Sequence, residues 1–439
     1  MKGAFPAVRA FVCLAALAAA CDADAPFAPA LALVADPATV EAGGTTKLKL
    51  AGEALVDAGD RTYSWHASGG TIAGRGGGAI WTAPGVIGRY TISVSDERSD
   101  APIASARIMV RRFGPLPPEG CTVRCESIFT GSLRKDQVEA LDMPRNVAGA
   151  EAIGLDDDAL VVLVRAGKGA RAYPLNVLAY HEVVNDELGG GKITVSYSPL
   201  TGAASVFASG DSGGFGNLGA FYDSDHLLYD RRTNSTWSPL RFECIRGERL
   251  GTLLAPIPFV IGKWGAIASL ELGATVTWPV AADPTRTDYS RNPYAWYEAD
   301  DGHIVGPLSY FDLRLPRKQR VIGVWRGGAA RAYPYARLGA RAVVNDALNG
   351  RDLVVAFDAG SGIGAAFDRT IAGRLLSFEM IEAGSLARHM RDLQTGSSWS
   401  ILGEAVDGPL KGSRLGLLSR YQGFFFAWAA YRQGTEIWR

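Results

Sequence analysis

Ala170-Arg171-Ala172-Tyr173-Pro174 recurs as Ala330-Arg331-Ala332-Tyr333-Pro334, and Val183-Val184-Asn185-Asp186 recurs as Val343-Val344-Asn345-Asp346, both 160 positions on (170 to 330, 183 to 343). Further along, Asp230-x-x-Thr233-x-Ser235-x-Trp237-Ser238 returns as Asp392-x-x-Thr395-x-Ser397-x-Trp399-Ser400, now 162 on (230 to 392). Three matches in one order, with a two-residue slip, mark a tandem duplication with halves at 121–285 and 286–439. Each half reads as a buried strand (Ala159 to Val164; Val321 to Trp325), a turn into Arg-Ala-Tyr-Pro, a short helix, Asn-Asp before a glycine turn, and another strand (Ile193 to Tyr197; Leu353 to Phe357). The expected class is mainly β with short helices, α+β, with a seam between the halves where a ligand cleft would lie.

Working towards the N-terminus, Phe113-Gly-Pro-Leu-Pro-Pro-Glu-Gly120 reads as a stiff linker over 113–120. Residues 28–112 alternate in short runs such as Thr46-Lys47-Leu48-Lys49-Leu50 and Arg89-Tyr90-Thr91-Ile92-Ser93-Val94, the pattern of a β-sandwich. Tyr63-x-Trp65, Gly69-Gly70-Thr71-Ile72, Trp81-Thr82-Ala83-Pro84 and Gly88-x-Tyr90-Thr91-Ile92 resemble bacterial Ig-like and PKD-like modules, which serve mostly as spacers. His66 is expected as a strand residue beside Trp65. Residues 1–21 read as an export signal: Lys2 and Arg9, an apolar run from Phe11 to Ala20, then Ala18-Ala19-Ala20-Cys21. The run is too short to span a bilayer. Two readings follow, a lipoprotein signal that anchors the chain to the bilayer through acylated Cys21, or plain secretion; both place the protein outside the cytoplasm, and the anchored one places it in the bacterial cell envelope, facing the periplasm. Asp22 resembles an inner-membrane retention signal.

Lysine plus arginine and aspartate plus glutamate stand at 45 each, which removes the basic footprint of a nucleic-acid binder. Nearly half the residues are apolar, and 53 Gly with 22 Pro imply many turns. Beyond Cys13 and Cys21 stand Cys121, Cys125 and Cys244. In an oxidising compartment these allow a local Cys121–Cys125 disulfide, pairing of either with Cys244, or a metal site.

Residues kept in both halves do what both halves need, so Arg171, Tyr173, Pro174, Asn185, Asp186, Asp230 and Trp237 read as scaffold or binding residues. The asymmetric positions point to chemistry. His181-Glu182 becomes Arg341-Ala342, and Ser198-Pro199-Leu200-Thr201-Gly202 becomes Asp358-Ala359-Gly360-Ser361-Gly362, so a site is expected in the first half. His181 and Asn185 are expected one turn apart on a short helix, and a serine at a strand end beside a histidine can serve as nucleophile and base. His181, His226 and Cys244 match no common metal-ligand spacing, and His303 and His389 have no companions. No metal or cofactor is implied.

The stretches Arg171-Ala172-Tyr173-Pro174, His181-Glu182-Val183-Val184-Asn185-Asp186, Tyr197-Ser198-Pro199-Leu200-Thr201-Gly202, Asp230 to Ser238 and Asp288-Tyr289-Ser290-Arg291-Asn292-Pro293-Tyr294 resemble the bacterial family known as domain of unknown function 3179. That resemblance implies a cysteine or selenocysteine at the position of Ser198, sometimes a second cysteine at Thr201, and hence thiol or selenol redox chemistry. Serine can form neither sulfenic acid nor a disulfide, so the position is degenerate here. The leading expectation is an envelope-anchored binding or scaffold protein for an unknown ligand or envelope partner. The alternatives are a thiol oxidoreductase using Cys244 or Cys121/Cys125, or a hydrolase-like enzyme using Ser198 with His181, with Glu182 and Thr201 beside them.

Overall fold

The computed structural model describes residues 32–36, 39–41, 44–51, 63–84, 88–96, 102–111, 120–130, 133–278, 287–306, 308–326, 328–419 and 421–439. The signal segment with Cys21, and all of the 113–120 linker but Gly120, lie outside the described residues. The chain divides into two units, Met1–Arg111 and Arg112–Arg439. No helix among the described residues is long and apolar enough to cross a membrane.

In the first unit, Thr45–Ala51 alternates, with Thr46, Leu48 and Leu50 inward and the lysines between them outward, so one face is apolar and one is wet. Among the described residues, eight strands form two four-stranded sheets. Leu48 and Trp81 from one sheet and Ile92, Ile108 and Val110 from the other share a core, which makes the unit a sandwich. Trp81 anchors it by donating its indole N–H to Gly69 O at 2.9 Å. The neighbouring Gly70 sits at φ 78°, where a Cβ would meet Thr82 O at 2.3 Å, so the turn under the tryptophan requires glycine. His66 is an exposed strand residue.

Among its described residues the second unit is mainly β, with five short α-helices: α1 (Leu175–His181), α2 (Trp264–Ala268), α3 (Ala295–Ala299), α4 (Tyr335–Leu338) and α5 (Phe425–Tyr431). Each half runs the same course. The hairpin Leu160–Ala166 and Gly169–Pro174 pairs in the same register as Arg320–Arg326 and Ala329–Pro334. A meander follows, Val183–Leu188, Gly191–Ser198 and Ala203–Ala208, matched by Arg341–Leu348, Arg351–Asp358 and Ile363–Asp368. Its registers superpose, Val183 to Ser196 to Ser205 against Val343 to Ala356 to Ala365. A third sheet holds Phe215–Tyr222, Asp225–Asp230, Thr236–Ser238 and Glu243–Arg246, matched by Phe378–Ser385, Arg388–Asp392, Ser398–Trp399 and Ala405–Asp407.

The repeated residues make the same bonds in both halves. Arg171 donates to Asp186 at 2.6 Å and Tyr173 donates to the same oxygen at 2.9 Å; Arg331 and Tyr333 do so on Asp346 at 2.5 and 2.7 Å. Asn185 clamps the start of the third sheet by bonding both N–H and C=O of Phe215, as Asn345 does with Phe378. Asp230 accepts from Thr233 and the Trp237 indole, as Asp392 does from Thr395 and Trp399.

The halves interlock reciprocally. Phe424 N donates to Thr201 O at 2.9 Å, and its counterpart Lys263 N donates to Ser361 O at 2.7 Å. The strand that leads into α5 therefore docks on the first half's meander, and the strand that leads into α2 docks on the second half's. One expectation changes: Asn185 does not share a helix face with His181. α1 ends at His181, Glu182 is left-handed at φ 59°, and the β-branched Val183-Val184 turns the chain into a strand.

Candidate functional site

In the first half the strand Gly191–Ser198 sorts its side chains by parity. Ile193, Val195 and Tyr197 enter an apolar cluster with α1, while Thr194, Ser196 and Ser198 occupy the opposite face and are buried. Ser205 lies directly across from Ser196 on the next strand. His226, buried on Asp225–Asp230, holds its Nε2 2.7 Å from Ser196 Oγ. Its Nδ1 lies 4.0 Å from Asp225 Oδ1. The result is a buried cluster of hydroxyls, an imidazole and carboxyls, called the recess below, in which Ser198 Oγ, Ser205 Oγ and His226 Nδ1 have no hydrogen-bond partner.

Burial sets the charge state of this recess. Desolvation pushes the Glu182 carboxyl up to about 8. Asp225 is raised well above the carboxylate range by burial, and Glu182 and Asp223 add to the effect. His226 is lowered to about 3 by burial. Burial thus disfavours charge on all three groups. Aromatic residues from elsewhere in the chain surround it: burial and the charge of Glu182 push the Tyr294 phenol up to about 12, and Tyr431, on α5, donates to Tyr222 O at 2.8 Å beside Asp225.

Ser196, His226 and Asp225 stand in the order of a hydrolytic triad, but the charge relations of one are missing. A triad needs an ionised carboxylate hydrogen-bonded to the imidazole, whereas His226 Nδ1 makes no hydrogen bond to Asp225 and burial disfavours the charged form of both. The arrangement can donate and accept hydrogen bonds, and burial makes His226 a weak base.

The other site expectations fall as follows. His181 is not paired with Ser198: its ring nitrogens face Glu139 O at 2.8 Å and Tyr289 Oη at 2.6 Å, so Nδ1–H donates to the carbonyl and Nε2 accepts from the phenol. Burial also lowers its pKa. Thr201 closes the Ser198 turn, with its hydroxyl 3.4 Å from Ser198 O. Glu182 does belong to the recess. Cys121 and Cys125 form a disulfide, and Thr122 N bonds Ile245 O at 3.0 Å, so the bridge staples the start of the unit to the third sheet. Cys244 is free and buried; it lies in the cluster of Phe207, Phe215 and Trp237, and its thiol is pushed up to about 12 by burial. Its sulfur contacts Arg246 O, away from any histidine. Iodoacetamide is accordingly expected to leave Cys244 unmodified in the folded protein and to label it fully in urea; rapid labelling of the native chain would revive a thiol mechanism. Among the described residues no group of three His, Cys, Asp or Glu side chains is placed to hold a metal, so His181, His226 and Cys244 do not converge on one.

Sequence reasoning missed Ser196, Ser205 and Asp225. The signal was present in the duplication: their counterparts are Ala356, Ala365 and Ala387, with Arg388 for His226 and Ala342 for Glu182. Every polar group of the recess is replaced in the second half, while the scaffold residues are kept.

No curated protein matches the chain. The structure of the Yersinia pseudotuberculosis adhesin InvE is similar at 13% identity over 53% of this chain and 54% of that one, with a TM-score of 0.16, which carries no argument. A family described as "Protein of unknown function (DUF3179)" matches residues 135–435, a span that takes in both halves of the duplication, the recess and the Tyr289–Tyr294 segment. On that match the chain belongs to the DUF3179 family.

Proposed function

We propose that this is an exported, envelope-anchored binding protein whose ligand site is the neutral polar recess of the first half, on a family scaffold in which serine replaces the chalcogen at Ser198. The reading rests on one observation: three buried polar atoms, Ser198 Oγ, Ser205 Oγ and His226 Nδ1, have no partner and belong to residues grouped around Ser196. An unpartnered buried hydroxyl costs about 1–3 kcal/mol, and three together are retained where something fills them. Burial disfavours charge in the recess, so its ligand is a small, neutral, hydrogen-bonding molecule. Turnover is disfavoured by the weak basicity of buried His226 and by the buried, weakly acidic Cys244 thiol. The sandwich unit acts as a spacer from the membrane, and acylated Cys21 supplies the anchor.

The test compares Ser205→Ala with the parent chain, both as isolated from the envelope and after unfolding, dialysis and refolding. As isolated, the variant is expected to melt lower and to lose a non-covalent mass seen in native mass spectrometry. After stripping, the order is expected to reverse, by about 1 kcal/mol per orphan removed. A parent chain that shows its bare mass, with the variant more stable in both preparations, would overturn the reading.

A further inference from the structure

The interlock of the halves leaves the two equivalent sites unequally covered. The docking strands align Gly262 with Gly423 and Lys263 with Phe424, because Lys263 N and Phe424 N make the same bond across the seam. Carried forward, the helices align Trp264 with Phe425, Ile267 with Trp428 and Leu270 with Tyr431. Over the first half, α5 reads Phe-Phe-Ala-Trp-Ala-Ala-Tyr, with Phe425 through Ala430 all buried. Over the second half, α2 is the shorter Trp-Gly-Ala-Ile-Ala, followed by Ser269 and Leu270. A cavity of about 610 Å³ remains there, with Ala266, Ser269 and Leu270 on one wall and Arg341, Asp358 and Ser361 among its lining. That volume is within the range of small-molecule sites.

Arg341 and Asp358 form a loose ion pair across the strands, with no hydrogen bond between them. Arg341 Nε stands 3.7 Å from Asp358 Oδ2, too far for a hydrogen bond, and the two side chains keep 23% and 17% of their surface exposed. The Arg341 guanidinium is held in place by Ile381 O and Glu382 O at 3.4 and 3.2 Å and by His389 Nδ1 at 3.4 Å, all long contacts, and it has no bidentate carboxylate partner. Asp358 is oriented by Ser361 N, which donates to Oδ1 at 2.7 Å. A fixed cation and a fixed anion a few ångströms apart, in a partly dry pocket, complement a ligand that carries both charges on neighbouring atoms. A simple anion would meet Asp358, and a simple cation would meet Arg341.

We infer that this pocket of the second half binds a small zwitterion of the α-amino-acid class, its carboxylate on Arg341 and its ammonium on Asp358, at a site separate from the recess of the first half.

The test is isothermal titration of the full-length chain with each of the standard L-amino acids at millimolar concentration, with sodium acetate and methylammonium chloride as half-probes. At least one amino acid is expected to bind, and each half-probe to bind about tenfold more weakly or worse. Arg341→Ala and Asp358→Asn are each expected to weaken the amino acid by about tenfold or more. Leu270→Tyr, which fills the opposite wall as Tyr431 fills the first half, is expected to abolish binding with both charges intact, and so keeps the proposal testable if a charge variant fails to fold. No binding by any amino acid, binding unchanged in the folded variants, or acetate binding as tightly as the best amino acid would each overturn the assignment.

Discussion

Asp230→Ala is expected to destabilise the second unit by about 3–5 kcal/mol, measured by urea unfolding, and Asp392→Ala to do the same within about 1 kcal/mol. Asp230 is fully buried, and its oxygens accept from Thr233 N at 2.7 Å, from the Thr233 hydroxyl at 2.8–2.9 Å and from Trp237 Nε1 at 2.8 Å. Removing the carboxylate takes the acceptor from three donors, the buried Trp237 indole N–H among them, and frees the turn that sets the third sheet. It also leaves a void beside Trp237, one of the largest buried side chains in the core. Asp392 serves Thr395 and Trp399 with the same bonds, so its loss is the same experiment repeated inside one molecule. A loss below about 1 kcal/mol at either position would mean that these turns are held by the backbone alone, and the reading of the repeated motif as scaffold would fall.

The scaffold was legible because duplication prints it twice. Arg171, Tyr173, Asn185 and Asp186 recur at fixed spacing because a parity-2 strand can place a guanidinium, a phenol and a carboxylate together only when that spacing is kept, and Arg331, Tyr333 and Asp346 repeat the result. The local disulfide was one of several pairings the spacing allowed, and it forms. The recess was harder to read. Glu182 and Ser198 stood out as asymmetric, but which histidine meets which serine depends on the docking of one sheet over another, a long-range fact that periodicity does not encode. His181, four residues before Asn185, drew attention by its place in the motif and is occupied by Tyr289 from a segment over a hundred residues away. In sequence His226 reads only as part of a poor metal-ligand set with His181 and Cys244, and it is the histidine that reaches a serine. The helix expected to carry His181 and Asn185 together failed at Glu182, whose left-handed backbone answers to the buried strand after it rather than to helix propensity.

Glu182→Gln is expected to stabilise the protein, and increasingly so as pH rises. The folded carboxyl titrates at about 8 against 4.5 unperturbed, because burial disfavours its charged form. Between those values the native chain keeps a proton that the unfolded chain has released, so stability falls with rising pH through that window and levels off above it. Below about 4.5 the acid is protonated in both states and should match the amide, which is neutral throughout. The gain of the variant should therefore grow from near zero at pH 4.5 to a plateau above pH 8 on the order of 3–5 kcal/mol. Asp225 acts in the same direction, since its folded carboxyl is also raised, in part by Glu182 itself; removing the Glu182 charge relieves Asp225 and adds to the gain. His226 acts with the opposite sign. Lowered from 6.5 to about 3, it stabilises the fold above pH 6.5 and loses that contribution as pH falls towards 3, in parent and variant alike, so it cancels from the difference. Urea midpoints at pH 4.5, 6.5 and 8.5 decide the matter. A difference that does not change with pH would show that Glu182 is ionised or solvated in the native state, and the neutral recess on which the binding proposal depends would have to be given up.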